Sequence, residues 1–157
     1  MVTGSKLSIR RSDATVTPKS AEKQHRQIGK PKPDHNSLST GAAWMQGQVM
    51  PLADARLPVN DWGLIHSDIT YDVVPVWNGA FFRLGDYLDR FENSMRALRM
   101  DIGMDGSQIR RALNDMVAAS GLKEAYVAMV ASRGVPLIPG TRDPRDCGNH
   151  FLSLIHI

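Results

Sequence analysis

One hairpin signal constrains the fold of this chain more than any other feature. Residues 69–77 are rich in Ile, Thr, Tyr, Val and Trp, the pair Asn78-Gly79 follows, and a second apolar run occupies 80–83. Asn and Gly both tolerate a positive φ, so this pair between two apolar runs predicts an antiparallel hairpin. Pro75 has no backbone N–H and lies inside the first run, which indicates an edge strand or a bulge.

The segments around this hairpin show the spacing of two more strands and two helices. A smaller hairpin is expected from 42–45 and 49–51, around Gln46-Gly47-Gln48, and a later strand over 125–132. Helical spacing predicts one helix from about 85 to 100 and a second from Ser107, as N-cap, to Ser120, with Gly121 as the stop. Their apolar faces are Leu84, Tyr87, Leu88, Phe91, Met95 and Leu98 on the first, and Ile109, Ala112, Leu113, Met116 and Val117 on the second.

This order of elements predicts an α+β domain with a mostly antiparallel sheet and two helices on one face. The chain has 157 residues, which suits one ordinary domain. Residues 1–40 contain eight Lys or Arg and three acidic side chains, a net charge of +5, so the rest carries −2 of the overall +3. The polar, basic segment 1–40 is predicted to be a disordered tail, and the domain is expected to begin at Gly41.

Composition also excludes several classes of protein. No apolar stretch approaches the roughly 18 residues of a membrane-spanning helix, and the N-terminus lacks a signal-peptide core. Cys147 is the only cysteine, so a disulfide framework is impossible and a cytoplasmic setting is expected. The histidines are scattered and predict no metal site. The acidic body argues against a nucleic-acid-binding function for the basic tail.

One set of motifs comprises the segments 61–73, 76–79, 82–84 and 88–94, together with Arg133-Gly134 and residues 140–142. In these motifs the chain resembles the small N-terminal domain of class IV, or fold type IV, pyridoxal-phosphate aminotransferases. The resemblance extends from about Ala42 to Phe151. Within this family the chain most resembles the subgroup that contains the (R)-selective amine transaminases and their bacterial relatives. The branched-chain and D-amino-acid aminotransferases resemble it more distantly. The resemblance implies pyridoxal phosphate as cofactor, an amine or amino acid and a 2-keto acid as substrates, and a homodimer.

The resemblance also implies roles for individual residues. Arg90 matches the helix arginine that binds the cofactor phosphate, a role suited to a forked guanidinium. The alternative for Arg90 is a surface ion pair with Asp86, four residues earlier. Tyr71 matches the pocket tyrosine, and Val73 shares its face of the strand. The alternative for Tyr71 is an ordinary strand tyrosine that packs on a neighbouring side chain.

Four further positions match the substrate pocket of the family. His66 precedes the strand and lines the pocket in relatives, although a loop histidine of this kind is more often a capping or exposed residue. Tyr126 and Ala128 alternate on the later strand, and Ala128 departs from the acidic residue common in relatives. Arg142 lies in a Pro/Gly-rich loop and is placed to approach a substrate carboxylate. Its alternative is a solvated loop arginine.

The Schiff-base lysine of the family has no match in this sequence. Five lysines lie in the predicted tail, and Lys123 lies in a turn between helix and strand. The last six residues, 152–157, read as the translation of CTG TCT CTT ATA CAC ATC, a string similar to a transposon end used in sequencing adapters. We therefore expect a fragment, 41–151, followed by an adapter-derived artefact that begins where the resemblance stops. The alternative is an apolar strand.

Two other functions remain open at this point. One is an enzyme of the aminodeoxychorismate-lyase type, which uses the same fold and cofactor. The other is a non-catalytic domain in which Tyr71 and Arg90 bind an anion. A Schiff-base lysine discriminates between the enzymes and the binding domain. Because this lysine has no match here, the fragment is expected to be inactive by itself.

Overall fold

The computed structural model describes residues 35–156. The predicted tail up to residue 34 lies outside this range, as does Ile157. His35–Thr40 form a 3-10 helix, although residues up to 40 were expected to be disordered. Leu38 explains the difference, because its half-buried side chain packs against the hydrophobic core.

Between residues 35 and 156, six strands form a single antiparallel sheet in the order β2-β1-β6-β5-β3-β4. The strands are β1 (Ala42–Met45), β2 (Gln48–Pro51), β3 (Ile69–Trp77), β4 (Ala80–Phe81), β5 (Ala125–Pro136) and β6 (Cys147–His156). The helices are α1 (Trp62–Ile65), α2 (Leu84–Ala97) and α3 (Gly106–Ser120). Single 3-10 turns cover Leu52–Asp54 and Pro144–Asp146.

Both predicted hairpins form around the expected turns. Asn78 and Gly79 have φ of 50° and 77°, which is the left-handed conformation that the Asn-Gly pair was expected to adopt. Strand β4 is shorter than the predicted 80–83, because Arg83 turns to φ 52° and begins α2. Since β4 pairs only with Val76 and Trp77, most of β3 is an edge strand, as Pro75 indicated.

The helix limits differ from the sequence prediction at two points. Helix α3 is capped by Asp105, whose carboxylate accepts from the backbone N–H of Gln108 in a capping box; Ser107 was wrongly expected to be the cap. Helix α2 ends at Ala97, because Arg99 adopts φ 53° and turns the chain. Gly121 ends α3 with φ 69°, as expected.

The main hydrophobic core lies between the sheet and the helices α2 and α3. Phe91, Ile109, Leu113 and Met116 are fully buried there against the strands. Burial of such a side chain is worth about 1.5–3 kcal/mol. The opposite face of the sheet carries a small cluster around Met45, Val130 and Leu152. The start of α1 covers Ser132 on this face, whereas the part around Tyr71 and Tyr126 is exposed. This arrangement confirms the predicted α+β fold with helices on one face.

Strand β6 continues through the last residues that the structure describes. Leu152 pairs with Val130 of β5 and Met45 of β1, and Ile155 is fully buried in the core. Residues 152–156 therefore occupy the strand that was the alternative to an adapter-derived end. The origin of these codons stays a prediction, because a strand position does not record it.

Candidate functional site

Arg90 of α2 forms a two-pronged ion pair with Asp72 of β3. Its Nε donates to Oδ2 of Asp72 at 2.6 Å, and its Nη2 donates to Oδ1 at 2.5 Å. The Asp72 side chain is 9% exposed and the Arg90 side chain 64%. The carboxylate is thus nearly buried while the guanidinium faces outward from the edge of the sheet. The hydrogen bond and the charge of Asp72 both raise the pKa of Arg90 above its ordinary value.

Two neighbours on the same helix also contact Arg90, one at its side chain and one at its backbone. The guanidinium lies over the ring of Tyr87, 4.9 Å from its centroid, in a cation–π contact. The hydroxyl of Ser94 donates to the backbone carbonyl of Arg90 at 3.0 Å. Asp86, the partner considered in the alternative, pairs instead with Arg83, three residues earlier. The prediction of a surface pair between Arg90 and Asp86 is therefore wrong, because each residue has another partner.

Four predicted pocket residues lie together on the open face of the sheet. Val73 is directly opposite Ala128, and Pro75 is opposite Tyr126 on the neighbouring strand. Opposite residues of an antiparallel pair project to the same side, and Tyr71 shares that side by alternation. Tyr71 and Tyr126 are 70% and 58% exposed. They form an aromatic surface with the short side chains of Val73 and Ala128 between them.

His66 and Arg142 line a separate cleft of about 750 Å³. His66 ends α1 as its C-cap, and its ring meets that of Trp62 edge to face at 4.7 Å. Arg142 projects from the loop between β5 and β6 and is exposed. Trp62, Ser67, Asp68, Thr141 and Pro144 complete the lining. The structure thus brings together two residues that are 76 positions apart in the sequence numbering.

Short polar contacts shape the loop that carries Arg142. The hydroxyl of Thr141 donates to Oδ2 of Asp146 at 2.5 Å and accepts from the backbone N–H of Asp143 at 3.0 Å. Arg145 forms a two-pronged pair with Asp143. That side-chain hydrogen bond, with the backbone N–H of Arg145, lowers the pKa of Asp143 to about 2. Arg142 therefore projects from a loop held on both sides.

Two buried ionic groups hold the segment before β3, and the sequence prediction missed both roles. Asp61 is fully buried and accepts from the backbone N–H of Gly63 at 2.8 Å and from the hydroxyl of Ser132 at 2.5 Å. Arg133 donates to both carboxylate oxygens of Asp68. Asp61, Asp68 and Arg133 belonged to the segments that carry the resemblance, so the signal was present without a role attached.

Arg133 also connects this segment to the end of α2. Its guanidinium donates to the backbone carbonyls of Leu98 and Arg99 at 2.8 and 3.2 Å. These are carbonyls at the helix end, which lack a partner within the helix. The side chain therefore fixes Asp68, on the wall of the His66 cleft, relative to the helix that carries Arg90.

The three groups of residues border β3 or the segment just before it, although Asp72 and Tyr71 project to opposite faces of the sheet. Asp72, which holds Arg90, lies between Tyr71 and Val73 of the open face, and His66 lies three positions before the strand begins. Lys123 is the single lysine between residues 35 and 156, and it lies at the far turn, where its backbone carbonyl accepts from Gly79. Over the same range no three His, Cys, Asp or Glu side chains are grouped to hold a metal ion.

The helices between residues 35 and 156 include none with the length and apolar character needed to cross a lipid bilayer.

Comparison with known proteins gives a consistent result. The family model of amino-transferase class IV matches residues 70–146, which include Tyr71, Arg90, Tyr126, Ala128 and Arg142. A putative branched-chain-amino-acid aminotransferase of Methanocaldococcus jannaschii is 27% identical over 114 residues, covering 73% of this chain and 39% of that protein. A D-alanine aminotransferase of Listeria innocua is 30% identical over 99 residues, covering 63% of this chain and 31% of that protein.

Solved structures show the same fold. The branched-chain amino acid aminotransferase of T.th., complexed with N-(5'-phosphopyridoxyl)-L-glutamate, superposes with a TM-score of 0.67 at 22% identity, covering 74% of this chain and 41% of that one. The same enzyme with pyridoxamine 5'-phosphate also gives 0.67, at 22% identity, with 74% and 40% covered.

The coverage and the fold together define the relationship. The chain spans about two fifths of the length of the branched-chain relatives, 39% in one comparison and 41% in the other. The matched region contains the hairpin of β3 and β4, both long helices and β5. Residues 70–146 of this chain belong to the class IV aminotransferase family.

Proposed function

We propose that this chain forms the small-domain side of the active site of a pyridoxal-phosphate aminotransferase. The complete enzyme would transfer an amino group between an amino acid or amine and a 2-keto acid. The family match and the named activities of the relatives, branched-chain and D-alanine aminotransferases, support this proposal. Two structural neighbours were solved with a phosphopyridoxyl and a pyridoxamine phosphate group, which supports the choice of cofactor.

The observation that carries the proposal is the outward-facing guanidinium of Arg90. Asp72 accepts hydrogen bonds from the single N–H of Nε and from one N–H of Nη2. The second N–H of Nη2 and both N–H groups of Nη1 therefore remain available to an anion. A guanidinium binds two phosphate oxygens at once with good geometry. The donor set therefore fits the phosphate group of the cofactor. When bound, the cofactor supplies the electron sink through which an amino group is transferred.

The other residues are assigned to the substrate. In this proposal Tyr71 and Tyr126 form the aromatic wall of the pocket, and Val73 and Ala128 leave room between them. The hydroxyl of Tyr71 can orient a substrate or a water by donating or accepting a hydrogen bond. His66 and Arg142 face the same cleft, where a permanently charged guanidinium would bind a substrate carboxylate.

We also propose that the chain alone does not catalyse transamination. That reaction needs a lysine that bonds to the cofactor and moves a proton at the substrate carbon. Lys123 lies beside the turn at Gly79, whose backbone N–H donates to the Lys123 carbonyl, at the other end of β3 from His66 and Tyr71. A homodimeric state and a cytoplasmic location remain predictions. A positioned lysine also distinguishes an aminotransferase or lyase from an anion-binding domain.

A cofactor titration tests the role of Arg90. We expect pyridoxal phosphate to bind the Arg90→Ala variant at least about tenfold more weakly than the unsubstituted parent chain, because a charged hydrogen-bond donor is lost. Arg90→Lys should restore only part of the affinity, since an ammonium lacks the forked geometry. Arg96→Ala is the matched control, because Arg96 lies on the same helix and its guanidinium donates to the side chain of Asn93, away from Asp72. Equal dissociation constants for the parent and Arg90→Ala would contradict the proposal.

A further inference from the structure

Asp72 is a nearly buried carboxylate whose side chain does not face the proposed binding surface. Its side chain projects to the helix side of β3, whereas Tyr71 and Val73 project to the open side. Its Oδ1 accepts from the backbone N–H of Val73 at 2.7 Å, and both oxygens accept from Arg90. The strand fixes its backbone, because Asp72 pairs with Met129 of β5. The carboxylate is therefore held in place by groups other than Arg90.

We infer that Asp72 is a positioning residue that fixes the guanidinium of Arg90 for binding a phosphate monoester. This inference rests on the proposed function of Arg90. An arginine on a helix surface samples many rotamers, and binding an anion would have to restrict them. Asp72 removes that freedom before the anion arrives, because its two oxygens fix the plane of the guanidinium as well as its position.

The geometry leaves the anion-binding end of the guanidinium open. Asp72 uses the side formed by Nε and Nη2, and the end formed by Nη1 and Nη2 points away from it. The ring of Tyr87 lies against the guanidinium at 4.9 Å and supports the same orientation from the helix. A phosphate monoester can therefore be bound without breaking the pair with Asp72.

The charge of Asp72 has the opposite effect, because a carboxylate repels a phosphate. This repulsion is screened by salt, since the Debye length falls from about 8 Å at 0.15 M to about 3 Å at 1 M. Orientation by two short hydrogen bonds is screened far less. A comparison at high salt therefore isolates positioning from repulsion. If positioning dominates, removal of the carboxylate weakens binding; if repulsion dominates, removal strengthens it.

The test uses the full 157-residue chain and the variants Asp72→Asn, Asp72→Glu, Arg90→Ala and Arg96→Ala. Dissociation constants for pyridoxal phosphate and for inorganic phosphate are measured by NMR titration at low salt and at about 1 M salt. The Nε–H signal of Arg90 reports its orientation separately, through its rate of exchange with water. The backbone amide spectrum shows whether each variant keeps the fold.

We expect Asp72→Asn to bind pyridoxal phosphate about two- to tenfold more weakly at high salt, which is the cost of ordering one long side chain. The Arg90 Nε–H signal should exchange faster in this variant. Asp72→Glu keeps two acceptor oxygens and should recover most of the affinity and of the protection of Nε–H. Arg96→Ala should match the parent chain in both measurements.

Two outcomes would overturn the inference and are distinguishable. If Arg90→Ala loses affinity but Asp72→Asn binds as well as the parent or better at high salt, Arg90 binds the phosphate and Asp72 does not position it. If Arg90→Ala binds as well as the parent, the proposed phosphate site itself fails, and the inference fails with it. Should Asp72→Asn unfold, Asp72→Glu and the Nε–H exchange rate decide the question.

Discussion

The hydroxyl of Ser132 on β5 donates a hydrogen bond of 2.5 Å to Oδ1 of Asp61, which lies 71 residues earlier in the chain. The same oxygen accepts from the backbone N–H of Gly63 at 2.8 Å. A single buried carboxylate therefore joins the start of α1 to the centre of the sheet. His66, at the end of this short helix, depends on that anchor for its place beside Arg142.

Loss of this anchor should destabilise the domain measurably. Ser132→Ala removes one hydrogen bond to a buried carboxylate, so we expect the free energy of unfolding to fall by about 1–3 kcal/mol. Asp61→Ala leaves both donors without a partner and should cost about 3 kcal/mol or more. Urea denaturation followed by tryptophan fluorescence measures both values. A change below experimental error for Asp61→Ala would show that the anchor contributes nothing.

Gly134 marks a position where no side chain fits. Its φ is 83°, and a Cβ placed on it would overlap the backbone carbonyl oxygen of Gly148 on β6. We expect Gly134→Ala to lower the free energy of unfolding by about 3 kcal/mol or more, because backbone atoms must separate. Gly47→Ala is the matched control: φ is 81° there, but no atom lies within 4 Å.

The control separates steric overlap from backbone strain. Gly47→Ala should cost only about 1–2 kcal/mol, the penalty for a left-handed conformation. Thermal unfolding of the two variants, measured side by side, gives the difference. If both variants lose the same stability, the close approach of β5 and β6 at Gly134 does not contribute.

The loop that carries Arg142 should respond to acid. The pKa of Asp143 is lowered from its ordinary value of 3.8 to about 2, chiefly by the side-chain hydrogen bond from Arg145 and then by the backbone N–H of Arg145. A lowered pKa in the folded state means that the stabilisation is complete above the unfolded value near 3.8. It is lost as the pH falls through about 2.

Carboxyl NMR titration checks this prediction. In the parent chain the Asp143 carboxyl should titrate with a midpoint near 2. Arg145→Ala should raise the midpoint only part of the way to 3.8, because the backbone N–H of residue 145 still donates to Asp143. A parent midpoint at the ordinary value would mean that the pair does not form in solution and does not constrain the Arg142 loop.

The parts of the fold that were predictable are those specified by neighbouring residues. Asn78-Gly79 adopts two positive φ values, and the buried residues of α3 are the apolar stripe read from its sequence together with Ser120. The N-cap of α3 was predicted at the wrong residue because Asp105 and Ser107 are both good caps, and the decision depends on Gln108 reaching back to Asp105. A strand over 152–157 was only the alternative, because these residues matched the translation of an adapter and the family resemblance stopped at the same point.

The sequence indicated the positions of the candidate-site residues but not the contacts between their side chains. Helical spacing suggested Asp86 as the partner of Arg90. In the structure Asp86 pairs with Arg83, and Asp72 on β3 binds Arg90. Such a contact depends on how α2 packs on the sheet, which no local pattern encodes. The buried roles of Asp61 and Arg133 are likewise long-range, since their partners are 71 and 65 residues away.

The most direct test of the central claim compares pyridoxal phosphate with pyridoxal, which lacks the phosphate group. Each compound is titrated into the 157-residue chain, and the Arg90 Nε–H signal and the backbone amides are followed by NMR. We expect pyridoxal phosphate to shift the Arg90 signal and the amides around residues 71–73, and pyridoxal to leave the Arg90 signal unchanged. Identical responses to the two compounds, or no response at Arg90, would contradict a phosphate site in this domain.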